Sequence, residues 1–251
     1  MKNQELTRRE VLVISKNTII VSALTAGVLP LFTPQAVLAL DWKEVFQKKY
    51  EGGHAEIVGL TGKAFANETS LHLKQQLNNG VHIQVAENSE LLLSLPDHSI
   101  LKITGEAELT LQIDTQGGGV INLILGAMLA VISSSKKKRY LIQTPTATLG
   151  VKGTVLFRNV FGAKEKPDSR VPENASDYVC ICNGSLDYLT PDAQLIQSDQ
   201  AHHHSAYFLL PDNKQLTLQK APFLFRHSDQ GINHVIDSMT GKKHDRSWLE
   251  L

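Results

Sequence analysis

The sequence predicts an all-β domain, a sandwich or roll of short and mostly antiparallel strands with one short C-terminal helix. Three observations carry that expectation. Apolar and polar residues alternate with period two through much of the chain, which puts one face of each strand into a core and the other toward water. Turn signals separate these runs at intervals of roughly 8–12 residues: Asn78-Asn79-Gly80, Pro96-Asp97, Thr104-Gly105 and Gly117-Gly118-Gly119. Helical periodicity is nearly absent before residue 228.

In chain order, residues 40–53 begin with a short amphipathic helix that Gly52-Gly53 ends. Residues 69–74 and 81–85 alternate as strands, and residues 90–95 form a short apolar strand closed by Pro96-Asp97. Residues 99–104 and 108–113 read as two further strands. Residues 120–132 are the most apolar stretch, shorter than the roughly 20 residues a membrane helix needs, and Gly126 in their middle points to two buried strands. Residues 133–139 read as a solvated hairpin loop, residues 161–177 as a polar connection, and residues 210–222 as a loose segment with one short strand. Near the end Ile232, Val235, Ile236 and Met239 recur at i, i+3, i+4 and i+7, a helix that Ser228 caps and Gly241 ends.

The first 39 residues read as an address. Lys2, Arg8, Arg9 and Lys16 precede an apolar stretch from Thr18 to Phe32, and Val37-Leu38-Ala39 follows with cleavage expected after Ala39. The apolar stretch is too short for a spanning anchor. Thr7-Arg8-Arg9-Glu10-Val11-Leu12 resembles a twin-arginine export signal, with Val11 in place of the usual Phe and Val13 in place of the usual Lys. The product is expected in the periplasm of a bacterium, with no transmembrane span in the mature chain. The 251 residues hold 25 basic and 25 acidic side chains. Removing the basic leader leaves a mildly acidic domain, which excludes a generic electrostatic nucleic-acid binder. A hydrophobic content of 42% excludes a highly charged disordered chain. The expected organisation is a leader (1–39), a lead-in (40–54), a β-domain (55–190) and a C-terminal extension (191–251) with a His cluster and a short helix.

The segment Gln143-Thr144-Pro145-Thr146-Ala147-Thr148-Leu149-Gly150-Val151-Lys152-Gly153-Thr154 is the most specific in the chain. It resembles the core signature of the FecR domain family, in which a strand enters a Thr-Pro-x-Ala turn and leaves through a Gly-Thr pair. The runs Leu95–Leu101, Leu125–Val131 and Asn183-Gly184-Ser185-Leu186 are similar to flanking elements of that family, so the resemblance covers roughly residues 55–190. Physically the signature reads as structural. Pro145 fixes its own φ and holds Thr144 extended, and Gly150 and Gly153 admit backbone conformations that a side chain would block. Thr154 then opens a new strand. The resemblance implies an extracytoplasmic β-domain. The family's best-known members are membrane-spanning regulators whose periplasmic domain senses an outer-membrane iron-siderophore receptor and signals to a sigma factor. With an export signal beginning almost at residue 1, the cytoplasmic anti-sigma segment is expected to be missing here.

Tyr178-Val179-Cys180-Ile181-Cys182-Asn183-Gly184-Ser185-Leu186-Asp187-Tyr188 reads as a hairpin turned at Asn183-Gly184. One face would carry Val179, Ile181, Leu186 and Tyr188. The opposite, more polar face would carry Cys180, Cys182, Ser185 and Asp187. Extended i and i+2 residues lie about 6.5–7 Å apart at Cα, the outer limit for a disulfide. Two thiolates at that spacing can instead clamp a soft metal. In the following His202-His203-His204, His202 and His204 would share a face, so Cys180, Cys182, His202 and His204 could complete a tetrahedral site for zinc or copper. His227, His234 and His244 are further candidates. The competing reading is a solvated His triplet and two ordinary strand cysteines.

Enzyme signatures are missing from the sequence: it has no Gly-x-Ser-x-Gly elbow, phosphate loop or dinucleotide fingerprint. Two functions are therefore expected. One is an exported, non-enzymatic signalling module that binds an envelope protein or outer-membrane component through strand edges and loops. The alternative is a periplasmic zinc- or copper-binding protein.

Overall fold

Most strands form where the alternating runs place them, and several are longer than the turn signals imply. The run 69–74, however, is strand only at Thr69–Ser70 and turns at Leu73-Lys74, where Lys74 takes φ 66°. The computed structural model describes residues 42–133, 139–162, 168–190, 193–212 and 215–240. The expected leader, the middle of the 133–139 loop, Gly241 and His244 lie outside the described residues. A short helix, α1 (Trp42–Gln47), precedes β1 (His54–Thr61), β2 (Ala64–Ala66), β3 (Thr69–Ser70), β4 (Gln76–Asn78), β5 (His82–Val85) and β6 (Glu90–Ser94). Then come β7 (Ile100–Ile113), β8 (Gly119–Val131), β9 (Tyr140–Gln143), β10 (Thr148–Val151), β11 (Val155–Val160) and β12 (Asp177–Leu189). The chain continues with β13 (Leu195–Ala201), β14 (Ser205–Asp212), β15 (Gln215–Lys220) and α2 (Asp229–Thr240). No helix of the described residues is long and apolar enough to cross a membrane.

Three further expectations about element boundaries are corrected. The runs 99–104 and 108–113 are one strand, β7, because Gly105 (φ 76°) sits at a register shift against β8 instead of closing a turn. The run 120–132, expected as two strands, is likewise one strand, β8, up to Val131. Gly126 (φ 91°) lies on that irregularity, where a Cβ would come within 2.4 Å of the Glu106 carbonyl oxygen. The expected loose segment 210–222 holds, in its described residues, the end of β14 and all of β15, which pair from Tyr207↔Lys220 to Asp212↔Gln215.

All strands among the described residues join one 15-stranded sheet, antiparallel except where β8 meets β9. Its pairing closes on itself. β8 bonds β9 through residues 119–122, β9 bonds β10, β10 bonds β12, β12 bonds β11, and β11 returns to β8 at residues 126–131. A closed sheet hides one face from water. That face carries Ile121, Leu123, Met128, Tyr140, Ile142, Leu149, Leu156, Ile181, Leu186 and Tyr188 in one apolar cluster, continuous with Ile83, Leu91 and Leu101 of the neighbouring strands. The result is the all-β roll that the sequence predicts. A second cluster lies on the outer face, where Leu129, Phe157, Tyr178, Cys180, Cys182 and Phe208 pack under Phe225, Ile232 and Val235 of the C-terminal segment.

The signature residues line the closure. Thr144 and Ala147 close a tight turn between β9 and β10 (Thr144 N to Ala147 O, 3.0 Å). Thr144 Oγ1 donates to Asp177 Oδ2 (2.7 Å) and accepts from Arg158 Nη2 (2.7 Å). Arg158 is fully buried, donating to both Asp177 oxygens (3.1 and 2.6 Å) and to the carbonyls of Ile142 and Ala147. The Pro145 turn is thus bolted to β11 and β12 from inside the roll. Gly153 has φ 79°, whereas Gly150 is an ordinary residue of β10 and needs no special conformation. Buried Thr154 accepts from the Ser185 amide and donates to its carbonyl (2.7 Å).

Candidate metal centre

The hairpin expected at Asn183-Gly184 does not form. β12 runs straight through it as the spine of the sheet, with β11 and then β10 along one edge and β14 and then β13 along the other. Asn-Gly has a different use here. Gly184 (φ 110°) lets β12 pass within reach of the Gly153-Thr154 backbone, where a Cβ would meet the Gly153 oxygen at 2.8 Å. The register against β11 slips between Val155↔Asn183 and Leu156↔Ile181, leaving Cys182 as the extra, bulged residue. Alternation therefore changes parity across this stretch. Val179, Ile181, Leu186 and Tyr188 do share the inner cluster, but through an irregular strand and not a turn.

The opposite face is not the exposed polar face that the hairpin implied. Cys180 and Cys182 are both free thiols at 0% exposure, covered by the segment after β15 and by α2. The link from β13 to β14 passes beside them because those two strands meet end to end against β12. Within it the His204 amide donates to the Cys182 carbonyl (3.2 Å), and the Asn183 side chain donates to the His202 carbonyl (3.1 Å). His204 adopts φ 48°, which breaks the alternation on which a shared face for His202 and His204 depended. His204 turns inward and its Nδ1 lies 3.3 Å from Cys180 Sγ. His202 stays exposed, outside the cluster.

The fourth donor is His227. Its ring stacks on Phe157 (4.5 Å between centroids, 12° between planes), and its Nδ1 donates to the Phe225 carbonyl (2.8 Å). That bond fixes the tautomer and leaves Nε2 as the lone-pair nitrogen. Nε2 is buried with no hydrogen-bond partner. One atom each from Cys180, Cys182, His204 and His227 can be chosen so that all lie within 4.8 Å of one another. Tetrahedral zinc with the usual bond lengths sets ligand atoms about 3.3–3.8 Å apart, so a modest contraction completes the geometry. Behind His204, Asp229 Oδ1 accepts from Nε2 (2.5 Å), and its other oxygen accepts from His203 Nε2 (3.2 Å). A carboxylate behind a ligating imidazole is the arrangement that orients such ligands. His234 is exposed on α2 and outside the cluster.

The electrostatics suit a cation. The Cys180 thiol is drawn down to about 4, first by the hydrogen bond from the Cys182 thiol and then by that with His204, against the opposing effect of burial. Burial and the adjacent Cys180 push Cys182 up. His204 is raised to about 8 by its hydrogen bond with Cys180, with support from Asp229. Asp229 in turn is held below the ordinary carboxylate range, chiefly by its bond from His204. The side chains of Cys180, Cys182, His204 and His227 converge on a shared centre. Deprotonated, these are soft nitrogen and sulfur donors, a set that takes zinc or copper in preference to magnesium or calcium.

Residues 81–175 match the family model described as FecR protein. No curated protein matches the chain significantly. Among solved structures, two crystal structures of a protein described as a candidate anti-sigma factor from Parabacteroides distasonis ATCC 8503 are similar. The structure at 1.65 Å has 11% identity and TM-score 0.43, covering 64% of this chain and 75% of that one. The structure at 2.50 Å has 12% identity and TM-score 0.43, covering 63% and 73%. The matched family segment ends before Cys180, so the donor cluster lies beyond it. Residues 81–175, which carry the Thr144–Thr154 signature and its Arg158 bolt, are thus the part of the chain that is similar to FecR proteins.

Proposed function

We propose that this chain is a metal-binding module of the bacterial envelope, a FecR-domain protein that holds one zinc or copper ion at Cys180, Cys182, His204 and His227 and works by recognition without catalysis. One observation carries the reading: two buried thiols and two imidazoles converge within 4.8 Å, and His227 points a buried, unpartnered nitrogen at them. Leaving such a nitrogen bare costs free energy that an ion would recover. Four protein donors leave no open coordination position, which fits a structural or sensing site better than a hydrolytic one.

Metal analysis of protein purified from the native envelope tests this. About one ion per chain is expected, lost in Cys180→Ser/Cys182→Ser and strongly reduced in His227→Gln, but unchanged in His202→Ala. Equal metal in the native protein and the double cysteine variant would end the reading.

The FecR match favours a second, compatible element: a signalling partner in the envelope or outer membrane, met in the periplasm after export. The edge strand β13 offers a surface for it, with Leu195 58% and Ile196 42% exposed and its outer edge unpaired among the described strands. Crosslinking in intact cells followed by recovery of the tagged protein should yield a stable heteromeric complex. Recovery of free monomer alone would count against a partner.

A further inference from the structure

The donors of the centre come from three separate stretches. Cys180 and Cys182 lie on β12, which is flanked by strands on both edges. His204 lies on the short link between β13 and β14. His227 is different, because it follows β15, after which no strand is found among the described residues. The Ala221 amide still bonds the Ala206 carbonyl of β14 (2.8 Å), and beyond it the stretch up to α2 lies on the outer face through contacts that its own or the sheet's side chains make. Phe225, Ile232 and Val235 are buried there, and Tyr178 Oη accepts from the Phe225 amide (3.2 Å) while donating to the Phe223 carbonyl (3.4 Å). α2 is 12 residues long, and an isolated helix of that length is marginal in water. Its first residue is Asp229, the carboxylate that orients His204. Both ends of the chemistry therefore reach into this one segment: a ligand at His227 and the orienting group at Asp229.

We infer that the ion is a latch. Bound at the centre, it ties residues 221–240 to β12. Its loss frees them and uncovers the apolar face around Phe157, Tyr178 and Phe208, so metal supply sets whether that face is available. The inference rests on the metal reading above and names the regulation of the same site. When the segment lifts away, Cys180, Cys182 and His204 remain together but the fourth ligand and the orienting carboxylate leave. The docked state then binds the ion more tightly, and this difference in affinity is what shifts the equilibrium. An ion that binds the docked state alone, at a free concentration about 100 times its Kd, suppresses undocking about 100-fold.

Hydrogen exchange on the full chain tests the latch, comparing reduced, chelator-stripped protein with the same protein in zinc sulfate. Zinc binding is measured in parallel by competition with a chromophoric chelator. Amides of Ile232–Ile236 should exchange at least about tenfold more slowly with zinc, while those of β5, β6 and β7 stay unchanged. Trypsin should cut after Lys220 and Arg226 faster once zinc is stripped. In His227→Gln both differences should vanish. Zinc that binds one per chain without altering exchange at Ile232–Ile236 or cleavage at Lys220 and Arg226 overturns the latch and leaves the metal reading standing. Uniform slowing across β5–β7 as well overturns it too, because that is global stabilisation. Failure of zinc to bind at all removes both.

Discussion

Arg158 shows what a single residue contributes inside the roll. A guanidinium at 0% exposure is tolerable only because Asp177 and three further oxygens satisfy it. Removing one partner strands the other charge, so Arg158→Met and Asp177→Asn should each cost about 3–5 kcal/mol of unfolding free energy, read from urea midpoints. A cost under 1 kcal/mol would show that the pair is not what holds the Thr144–Ala147 turn. The turn itself was legible from Thr144-Pro145, but its anchor was not. Arg158 does leave a trace, since it falls in period-two register with Leu156 and Val160, a charge at core positions. Its partner lies 19 residues away, across a polar loop, beyond the reach of any local pattern. The donor cluster divided in the same way. Cys180, Cys182 and His204 were readable from spacing, whereas choosing His202 assumed an extended link that the left-handed His204 interrupts.

At the level of elements, β12 decides where everything else goes. Reading Asn183-Gly184 as a turn was sound by local preference and failed because tertiary pairing outbids it: strands lie on both edges of β12 on either side of Gly184. The face assignment of the cysteines survived, because a parity change in one strand and a reversal between two strands have the same effect on alternation. Gly184→Ala should therefore be more damaging than a turn substitution. It meets both a positive φ and backbone atoms under 3 Å away, and β11 would have to move. We expect a loss of about 2–4 kcal/mol and, because the cysteines adjoin this strand segment, weaker metal retention. Stability within about 0.5 kcal/mol of the parent would contradict the close approach. The apparent turn at Gly105 and the apparent break at Gly126 were misread for a related reason, since glycines that mark bulges in long strands look like ends of short ones.

For the molecule as a whole, closure of the sheet explains why an aliphatic chain with few aromatics suffices for the core, and why Tyr140 and Tyr188 sit deep within it, while Tyr50 is buried outside that cluster, before β1. Tyr50 is pushed up to about 12 by burial and then by Asp114. Tyr140 and Tyr188 are raised further, again by burial first and then by Asp97 and Asp199. Unfolded tyrosines lose their protons near pH 10. Above that the native state holds more protons than the unfolded one, so unfolding free energy falls as pH rises, whereas below it the full contribution is present. Each of these tyrosines should remove about 1.4 kcal/mol per pH unit between pH 10 and its own folded value. Urea midpoints measured from pH 8 to 11.5 should fall above pH 10, and Tyr50→Phe and Tyr140→Phe should flatten the decline. A flat profile in the parent would mean that these hydroxyls are wet. The all-β class, the C-terminal helix and the Ser228 cap, whose Oγ accepts from the Gly231 amide, followed from periodicity and end signals. Closure did not, because pairing between residues 126–131 and 155–160 is a long-range choice that no window of sequence displays.

The ring closes entirely through backbone bonds among β8 to β12, and the side chains of Cys180, Cys182, His204 and His227 all project from its outside or lie beyond it. Scaffold and chemistry are consequently separable in descent. A lineage could exchange Cys180, Cys182 or His227 for other side chains and keep the same roll, so chains of this architecture with and without the centre should coexist. The presence of the cysteines would then divide the architecture by role, while its shape stayed the same.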